Sequence, residues 1–195
     1  KYGHVTFFFN GNRSGKFDEK LETFLEVPSD NIPFDQCPEM KAVEITDRVI
    51  EAIQSEQYDH IRLNLANGDM VGHTGALEAT IQAIETVDQQ VQRLVDATIA
   101  ADGILFVTAD HGNADEMYLR KKGTVLRDSD GNPLPRTSHT LNPVPFIIVD
   151  PQNLLCKAKL EHPGLASIAA TVIEACGRRA PADYAPSLIS LSRGE

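Results

Sequence analysis

Apolar residues along this chain follow two different periods, one typical of strands and one typical of helices. Short apolar runs bounded by turn residues predict strands at residues 5–10, 58–66, 104–108 and 144–149. Apolar residues at helical spacing predict helices at residues 38–55, 77–101 and 164–176. Because strands alternate with helical segments of this length, we expect an α/β fold with a mostly parallel sheet sandwiched by helices.

Two connections between these elements are rich in glycine and polar residues. Residues 68–75 are predicted to form a turn, because Gly68 and Gly72 interrupt the helical pattern. Residues 121–138 form a polar excursion longer than an ordinary loop, which indicates an insertion or a lid. Residues 128–132 resemble the start of a calcium loop, but the glycine required at its sixth position is absent. We therefore interpret that stretch as a solvated turn.

Composition narrows the class of protein. The chain has 195 residues and a formal net charge of −10. This length is enough for one domain with a sizeable core, and the charge disfavours general binding to nucleic acid or anionic membranes. No apolar run approaches the length of a membrane span. The three cysteines, Cys37, Cys156 and Cys176, are few and widely separated, which predicts reduced thiols in a cytoplasmic protein.

Candidate metal ligands recur beside three of the predicted strands. Asp110 and His111 follow the strand at 104–108, and His139 precedes the strand at 144–149. Asp69 and His73 stand four residues apart in the glycine-rich turn after the strand at 58–66. Carboxylate and imidazole are the groups that borderline and hard divalent metals accept, and ligands bind at strand ends in α/β sheets.

Each of these residues also has an ordinary structural interpretation. Asp69 suits an Asx turn or a helix cap, and His73 suits a packed imidazole. The segment from Asp110 suits a strand-end turn, and His139 suits a solvated loop. Their recurrence favours a metal site, because two carboxylates and three imidazoles exceed the needs of one ion and fall short of two. We therefore expect an incomplete two-metal phosphoryl-transfer site.

The other histidines and the acidic pair after Gly112 have ordinary structural interpretations. His4 lies in the opening segment at 1–9, which is interpreted as entering a strand, whereas His60 and His162 lie in turn-like contexts. Asp115 and Glu116 are expected to cap or decorate the segment after Gly112.

Four strings in order resemble one known family. They are Lys-Tyr-Gly-His-Val-Thr-Phe-Phe-Phe-Asn-Gly at 1–11, Asn-Gly-Asp-Met-Val-Gly-His at 67–73, Thr-Ala-Asp-His-Gly-Asn-Ala-Asp at 108–115 and Ser-His-Thr-Leu-Asn-Pro-Val-Pro at 138–145. They resemble the cofactor-independent phosphoglycerate mutases of the alkaline phosphatase superfamily, and the resemblance covers the chain nearly end to end. The long excursion is similar to that of the plant and trypanosomatid type.

The resemblance implies a set of site residues. Asp69, His73 and His139 would hold one manganese ion, and Asp110 and His111 would contribute to a second. Cobalt or magnesium are the alternative metals. Lys1 matches a lysine beside the metals and the substrate phosphate. The family interconverts 3-phosphoglycerate and 2-phosphoglycerate through a phosphoserine, without 2,3-bisphosphoglycerate as cofactor.

The resemblance also implies that part of the enzyme lies upstream. The nucleophilic serine, the other ligands of the second metal and the transferase domain precede Lys1 in the family. Residues 1–195 would thus be the C-terminal part of the phosphatase domain of a monomeric parent enzyme. Alone they would be inactive and would expose an apolar edge or interface. Alternatives are another metallophosphatase of the superfamily, a phosphopentomutase-like enzyme, or a metal-binding module without catalysis.

Overall fold

The computed structural model describes residues 1–191. Its helices are α1 (Ala42–Gln54), α2 (Asn67–Gly72), α3 (Leu77–Ala100) and α4 (Ile168–Ala175), with a π-helical segment at His4–Phe8 and a 3₁₀ turn at Leu165–Ser167. Its strands are β1 (Leu105–Thr108), β2 (Arg120–Lys121), β3 (Thr124–Val125), β4 (Phe146–Val149), β5 (Leu155–Lys157) and β6 (Ile189–Leu191). No helix in this part of the chain is both long and apolar enough to cross a membrane.

The first apolar run is helical, so the strand predicted at 5–10 is wrong. The π-helical segment satisfies its polar groups locally, with the Thr6 hydroxyl donating to the Tyr2 carbonyl at 2.9 Å. The segment closes through Gly11, whose φ is +68°. An apolar run becomes a strand only when a neighbouring strand completes its hydrogen bonds, and none pairs with this run among the described residues. Phe8 and Phe9 remain largely exposed as a result.

Helices α1 and α3 form the main helical layer. The two helices pack against each other, and their small residues Ala42, Thr46 and Ala83 are at most 1% exposed. Helix α3 ends in a Schellman motif, in which the backbone N–H of Gly103 donates to the carbonyl of Thr98 at 2.9 Å. The chain then enters β1 directly.

The central strand pair determines how the candidate residues meet. Strands β1 and β4 pair antiparallel, with Leu105 opposite Val149 and Thr108 opposite Phe146. The carboxyl end of β1 therefore lies beside the amino end of β4. The loop that leaves β1 and the loop that enters β4 face each other, and an isolated bridge between Gly112 and Thr140 extends the pairing.

The mostly parallel sheet predicted from the sequence differs from these pairings. All strand pairs within residues 1–191 are antiparallel. Residues 58–66 are irregular rather than a strand, so they do not supply β1 with a neighbour. Between β1 and β4 the chain contains a short hairpin instead of a crossover helix, and a connection without a crossover returns antiparallel.

The polar excursion at 121–138 is folded rather than open. Strands β2 and β3 form a hairpin whose turn residues, Lys122 and Gly123, both have positive φ, as a type I′ turn requires. Asp128 accepts backbone N–H bonds from Asp130 and Asn132 at 2.9 and 2.8 Å, which makes an Asx turn. The prediction of a solvated turn there is confirmed.

Residues 67–72 form helix α2, so the glycine turn predicted at 68–75 is wrong over most of its length. The helix is anchored by Asn67, which is 1% exposed. Its amide nitrogen donates to the carbonyls of Pro38 and Glu39 at 2.9 and 2.8 Å. This buried anchor outweighs the low helix propensity of glycine, and it places Asp69 one turn before His73.

The helix predicted at 164–176 is confirmed as the 3₁₀ turn followed by α4. Thr171 is fully buried and ties α4 to the chain before β6, because its hydroxyl accepts from the backbone N–H of Leu188 at 2.9 Å.

Substitution of Asn67 tests the anchor of α2. In Asn67→Ala the carbonyl of Pro38 loses its donor in a buried environment, and the carbonyl of Glu39 loses its donor in a partly buried one. We expect a loss of about 2 kcal/mol or more in the free energy of unfolding, measured by urea denaturation. The exposed Asn31→Ala is the control and should change stability by less than about 0.5 kcal/mol. Equal effects of the two substitutions would contradict the anchoring role.

Candidate metal centre

Two parts of the chain bring three of the candidate ligands to one place. Helix α2 supplies Asp69 and its C-terminal cap His73, and the loop before β4 supplies His139. One ligand atom from each of these three residues lies within 4.8 Å of the other two. We call Asp69, His73 and His139 the triad.

The carboxylate of Asp69 is the centre of this cluster. Its Oδ1 lies 3.1 Å from Nε2 of His73, 3.1 Å from Nε2 of His139 and 4.0 Å from Nε2 of His111. Its Oδ2 accepts a hydrogen bond from the ammonium group of Lys1. The Asp69 side chain is only 14% exposed, so these partners replace most of its contact with water.

A hydrogen bond at Nδ1 of His73 determines which of its ring nitrogens carries the proton when the ring is neutral. Nδ1 of His73 lies 2.7 Å from the carbonyl oxygen of Thr137. A carbonyl can only accept, so Nδ1 carries the proton, and in the neutral ring Nε2 presents a lone pair. That lone pair faces Nε2 of His139 at 3.1 Å and the Asp69 carboxylate.

The Asp69 carboxylate and Nε2 of His73 turn acceptor lone pairs toward one another, and a cation between them would stabilise this arrangement. One carboxylate and two imidazoles form a common donor set for zinc, manganese and cobalt. The backbone carbonyl on Nδ1 of His73 is the usual outer partner of a metal-binding histidine. The residues therefore fit a divalent ion.

His111 and Asp110 lie beside the triad rather than in it. The His111 ring stacks on His139 with centroids 3.6 Å apart and planes 17° apart. The Asp110 side chain is 60% exposed, and its Oδ1 lies 3.6 Å from Nε2 of His111. The contribution of this pair to a second metal remains a prediction.

Residue His4, assigned to a buried strand from the sequence, lies at the edge of the site. Its Nε2 is 3.9 Å from Oδ2 of Asp110. Partial burial first, and then the positive charge of Lys1, lower the pKa of His4 despite the opposing charge of Asp110. The sequence does not predict that His4 lies beside Asp110, because this position depends on the π-helical segment and not on a strand.

The two loops that carry His111 and His139 are joined by Asp115. Its carboxylate accepts from the Thr140 hydroxyl at 3.0 Å and from the Asn142 amide at 2.5 Å. Burial opposes its ionisation, but the hydrogen bonds from Asn142 and Thr140 outweigh burial and lower the pKa of Asp115. The sequence predicts that Asp115 caps or decorates the following segment, whereas in the structure it joins the two loops.

The excursion also supports the site. Arg136 pairs with Glu116 at 3.1 Å and donates to the carbonyl of His139 at 3.3 Å. The next residue, Thr137, provides the carbonyl that orients His73. The end of the excursion thereby contacts two of the three triad residues.

Comparisons with known proteins agree with a metal site. The Metalloenzyme superfamily matches residues 1–179. A probable 2,3-bisphosphoglycerate-independent phosphoglycerate mutase from Leptospira interrogans is 55% identical over 191 residues, covering 97% of this chain and 35% of that protein. The 2,3-bisphosphoglycerate-independent phosphoglycerate mutase of Trypanosoma brucei is 53% identical over 197 residues, covering 98% of this chain and 36% of that protein.

A solved structure shows the same fold. The phosphoglycerate mutase of Leishmania mexicana, determined at low cobalt concentration, matches with a TM-score of 0.94 at 50% identity. The match covers 98% of this chain and 36% of the Leishmania chain. The chain thus spans about a third of the length of the curated relatives it matches. The α/β fold of the alkaline phosphatase type is confirmed.

The pKa of His139 predicts how stability depends on pH. Partial desolvation, followed by the neighbouring His111 and His73, lowers this pKa below its ordinary value of 6.5. The unfolded chain then binds the proton more readily, so stability is present above about pH 6.5 and is lost as pH falls toward the folded pKa. We expect the metal-free chain to lose stability between pH 7.5 and 5.5, and His139→Asn to show a shallower decline, measured by urea denaturation with chelator present.

The control for this measurement is His162→Asn, which removes an exposed imidazole outside the site. It should keep the pH dependence of the parent chain. Equal slopes for the parent and His139→Asn would contradict the prediction.

Proposed function

The chain belongs to the Metalloenzyme superfamily, and we propose that it forms the C-terminal part of the phosphatase domain of a 2,3-bisphosphoglycerate-independent phosphoglycerate mutase. The whole enzyme would interconvert 3-phosphoglycerate and 2-phosphoglycerate in glycolysis and gluconeogenesis. The proposal includes a cytoplasmic, monomeric parent protein. The observation that carries it is the triad, in which one ligand atom from each residue lies within 4.8 Å of the others.

Sequence identity strengthens this assignment over the alternatives. Relatives named as this mutase are 55% and 53% identical across nearly the whole chain. A general metallophosphatase or a phosphopentomutase-like enzyme would need the same kind of metal ligands, so the triad alone favours neither. The strings at 1–11 and 67–73 both resemble the mutases, and each contains one partner of the contact between Lys1 and Asp69.

We assign two divalent ions to the complete site. Asp69, His73 and His139 would hold one, and Asp110 and His111 would contribute to the other. Manganese is the proposed metal, with cobalt or magnesium as substitutes. Such ions neutralise charge on a transferring phosphoryl group and lower the pKa of a coordinated hydroxyl.

The side chains of this chain have separate tasks in the proposed reaction. Lys1 brings a positive charge to the open side of Asp69, and its side chain is 23% exposed, so it can reach a phosphate group. The Asp69 carboxylate compensates that charge. The His111 ring stacks on the His139 ring and so restrains the plane of that imidazole.

The proposed nucleophile lies upstream of this chain. No serine side chain within residues 1–191 hydrogen-bonds to the triad, and Ser14 and Ser138 are both exposed. An upstream serine hydroxyl would lose its proton and attack the phosphorus of 3-phosphoglycerate, which breaks the bond between phosphorus and the 3-oxygen, and that oxygen would take up a proton. The 2-hydroxyl would then lose its proton and attack the phosphoserine, giving 2-phosphoglycerate and restoring the serine. No 2,3-bisphosphoglycerate is consumed as a cofactor in this cycle.

The proposed partner of this chain is the rest of its own polypeptide. A groove of about 870 Å³ runs between the first 25 residues and the segments at 45–49 and 57–64. Phe9, Phe17 and Leu25 line it and are 56–61% exposed. An apolar surface of this kind favours coverage by protein.

Removal of a triad ligand tests the metal site. Asp69→Ala deletes the oxygen shared by both imidazoles. We expect the dissociation constant for Mn²⁺ or Co²⁺, measured by titration calorimetry, to rise by roughly 100-fold or more. This rise is larger than the usual effect of removing a residue that only hydrogen-bonds to a metal ligand. His162→Ala is the matched control on an exposed loop and should bind metal as the parent does.

Activity tests the assignment to a mutase. The chain joined to its upstream remainder should convert 3-phosphoglycerate to 2-phosphoglycerate with Mn²⁺ and without 2,3-bisphosphoglycerate, and residues 1–195 alone should not. Release of inorganic phosphate from phosphate monoesters, without mutase turnover, would favour a metallophosphatase instead. Transfer between positions of a pentose phosphate would favour the phosphopentomutase-like alternative.

A further inference from the structure

Asn113 is a buried polar residue that the proposed chemistry does not use. It is 5% exposed and lies in the loop that follows β1, two residues after His111. Its amide nitrogen donates to the Oδ1 atom of Asp69 at 2.9 Å and to the main-chain carbonyl of Asp69 at 3.2 Å. One amide group thus binds both the side chain and the backbone of Asp69.

We propose that Asn113 is a positioning residue for the metal centre, and that it orients the Asp69 carboxylate by way of a close contact with Gly72. The inference rests on the proposed function, because it assumes that the triad binds a divalent ion.

The hydrogen-bond chemistry assigns the orientation of the Asn113 amide. Both of its partners on Asp69 are acceptors, so the NH₂ group must face them. The opposite orientation would place the amide oxygen against a carboxylate and a carbonyl. The amide oxygen therefore points away from Asp69, and it is buried without a hydrogen-bond partner.

The Asp69 oxygen held by Asn113 is also the oxygen that faces the triad. A carboxylate oxygen has two acceptor directions. With Asn113 in one of them, the other is left for an ion between Asp69, His73 and His139. Because Lys1 binds the second oxygen, the plane of the carboxylate is fixed at both ends.

Gly72 gives Asn113 the space to reach Asp69. A Cβ atom at residue 72 would lie 2.5 Å from the Asn113 amide oxygen and 3.0 Å from its Cγ. Any larger side chain would push the amide away from Asp69. Gly72 is the last residue of α2. Because it has no side chain, the loop that carries His111 and Asn113 can approach the helix that carries Asp69.

The decisive variants are Asn113→Ala, Gly72→Ala and the double variant. We expect Asn113→Ala to raise the dissociation constant for Co²⁺ by about 10- to 100-fold, the usual effect of removing an outer partner of a ligand. Gly72→Ala should weaken Co²⁺ binding with Asn113 still present, because the new methyl group displaces the amide. The visible absorption of bound Co²⁺ should change in both variants, since it reports ligand geometry.

The double variant separates positioning from folding. In Gly72→Ala/Asn113→Ala the methyl group occupies space vacated by the amide, and alanine favours a helix more than glycine does. The urea midpoint of the metal-free double variant should therefore recover relative to Asn113→Ala. Its affinity for Co²⁺ should stay as low as that of Asn113→Ala, because the hydrogen bond to Asp69 is still missing.

Two controls match these substitutions. Gly68→Ala lies on the same helix, where its Cβ would meet only the flexible end of Ile84 at 3.0 Å, and Asn132→Ala removes an exposed loop amide. Both should bind Co²⁺ with the parent affinity and spectrum.

The outcomes distinguish this inference from the proposed function. Unchanged Co²⁺ affinity and absorption in Asn113→Ala, or in Gly72→Ala, would overturn the role of Asn113. If Asp69→Ala also bound Co²⁺ normally, or the parent chain bound none, the metal centre itself would fail and the inference with it. Loss of binding in Asp69→Ala but not in Asn113→Ala would overturn only the inference.

Discussion

The central constraint on this structure is the single carboxylate of Asp69, which must satisfy more partners than one anion usually meets. Two imidazole nitrogens lie 3.1 Å from the same oxygen, an ammonium group binds the other oxygen, and an amide holds the backbone as well. With its side chain 14% exposed, Asp69 cannot rely on water for its solvation. A largely desolvated carboxylate is stable only when nearby donors and cations replace that water, so the surrounding elements have to be placed accurately.

Two features of the fold provide that placement. Helix α2 puts Asp69 and His73 one turn apart on the same face. The antiparallel pairing of β1 with β4 then brings the loops of His111 and His139 to the same end of the strand pair. Because neither feature alone completes the triad, the contacts between helix and loops become as important as the elements themselves.

The sequence predicts the ligands better than it predicts the elements that carry them. Asp69, His73 and His139 could be selected because carboxylate and imidazole recur beside apolar segments, and the structure brings them together. The helical conformation of 67–72 could not be read from the sequence, since it depends on Asn67 reaching the carbonyls of a distant segment. The run at 5–10 fails for a similar reason, because an apolar run does not reveal whether a neighbouring strand exists. Asn113 was missed because its role comes from a contact with Gly72 that no spacing encodes.

The polar excursion shows why a solvated segment can still determine the geometry of a site. Its hairpin contains no candidate ligand, yet the backbone of Thr137 fixes the proton on His73, and so fixes the nitrogen that faces the triad. The end of the excursion packs closely against Gly75, where an added Cβ would lie 2.8 Å from Pro135, and Arg136 pairs with Glu116. A shift of the excursion would therefore rotate an imidazole without touching Asp69. The site depends on this segment for the orientation of His73, just as it depends on α2 and β1 for position.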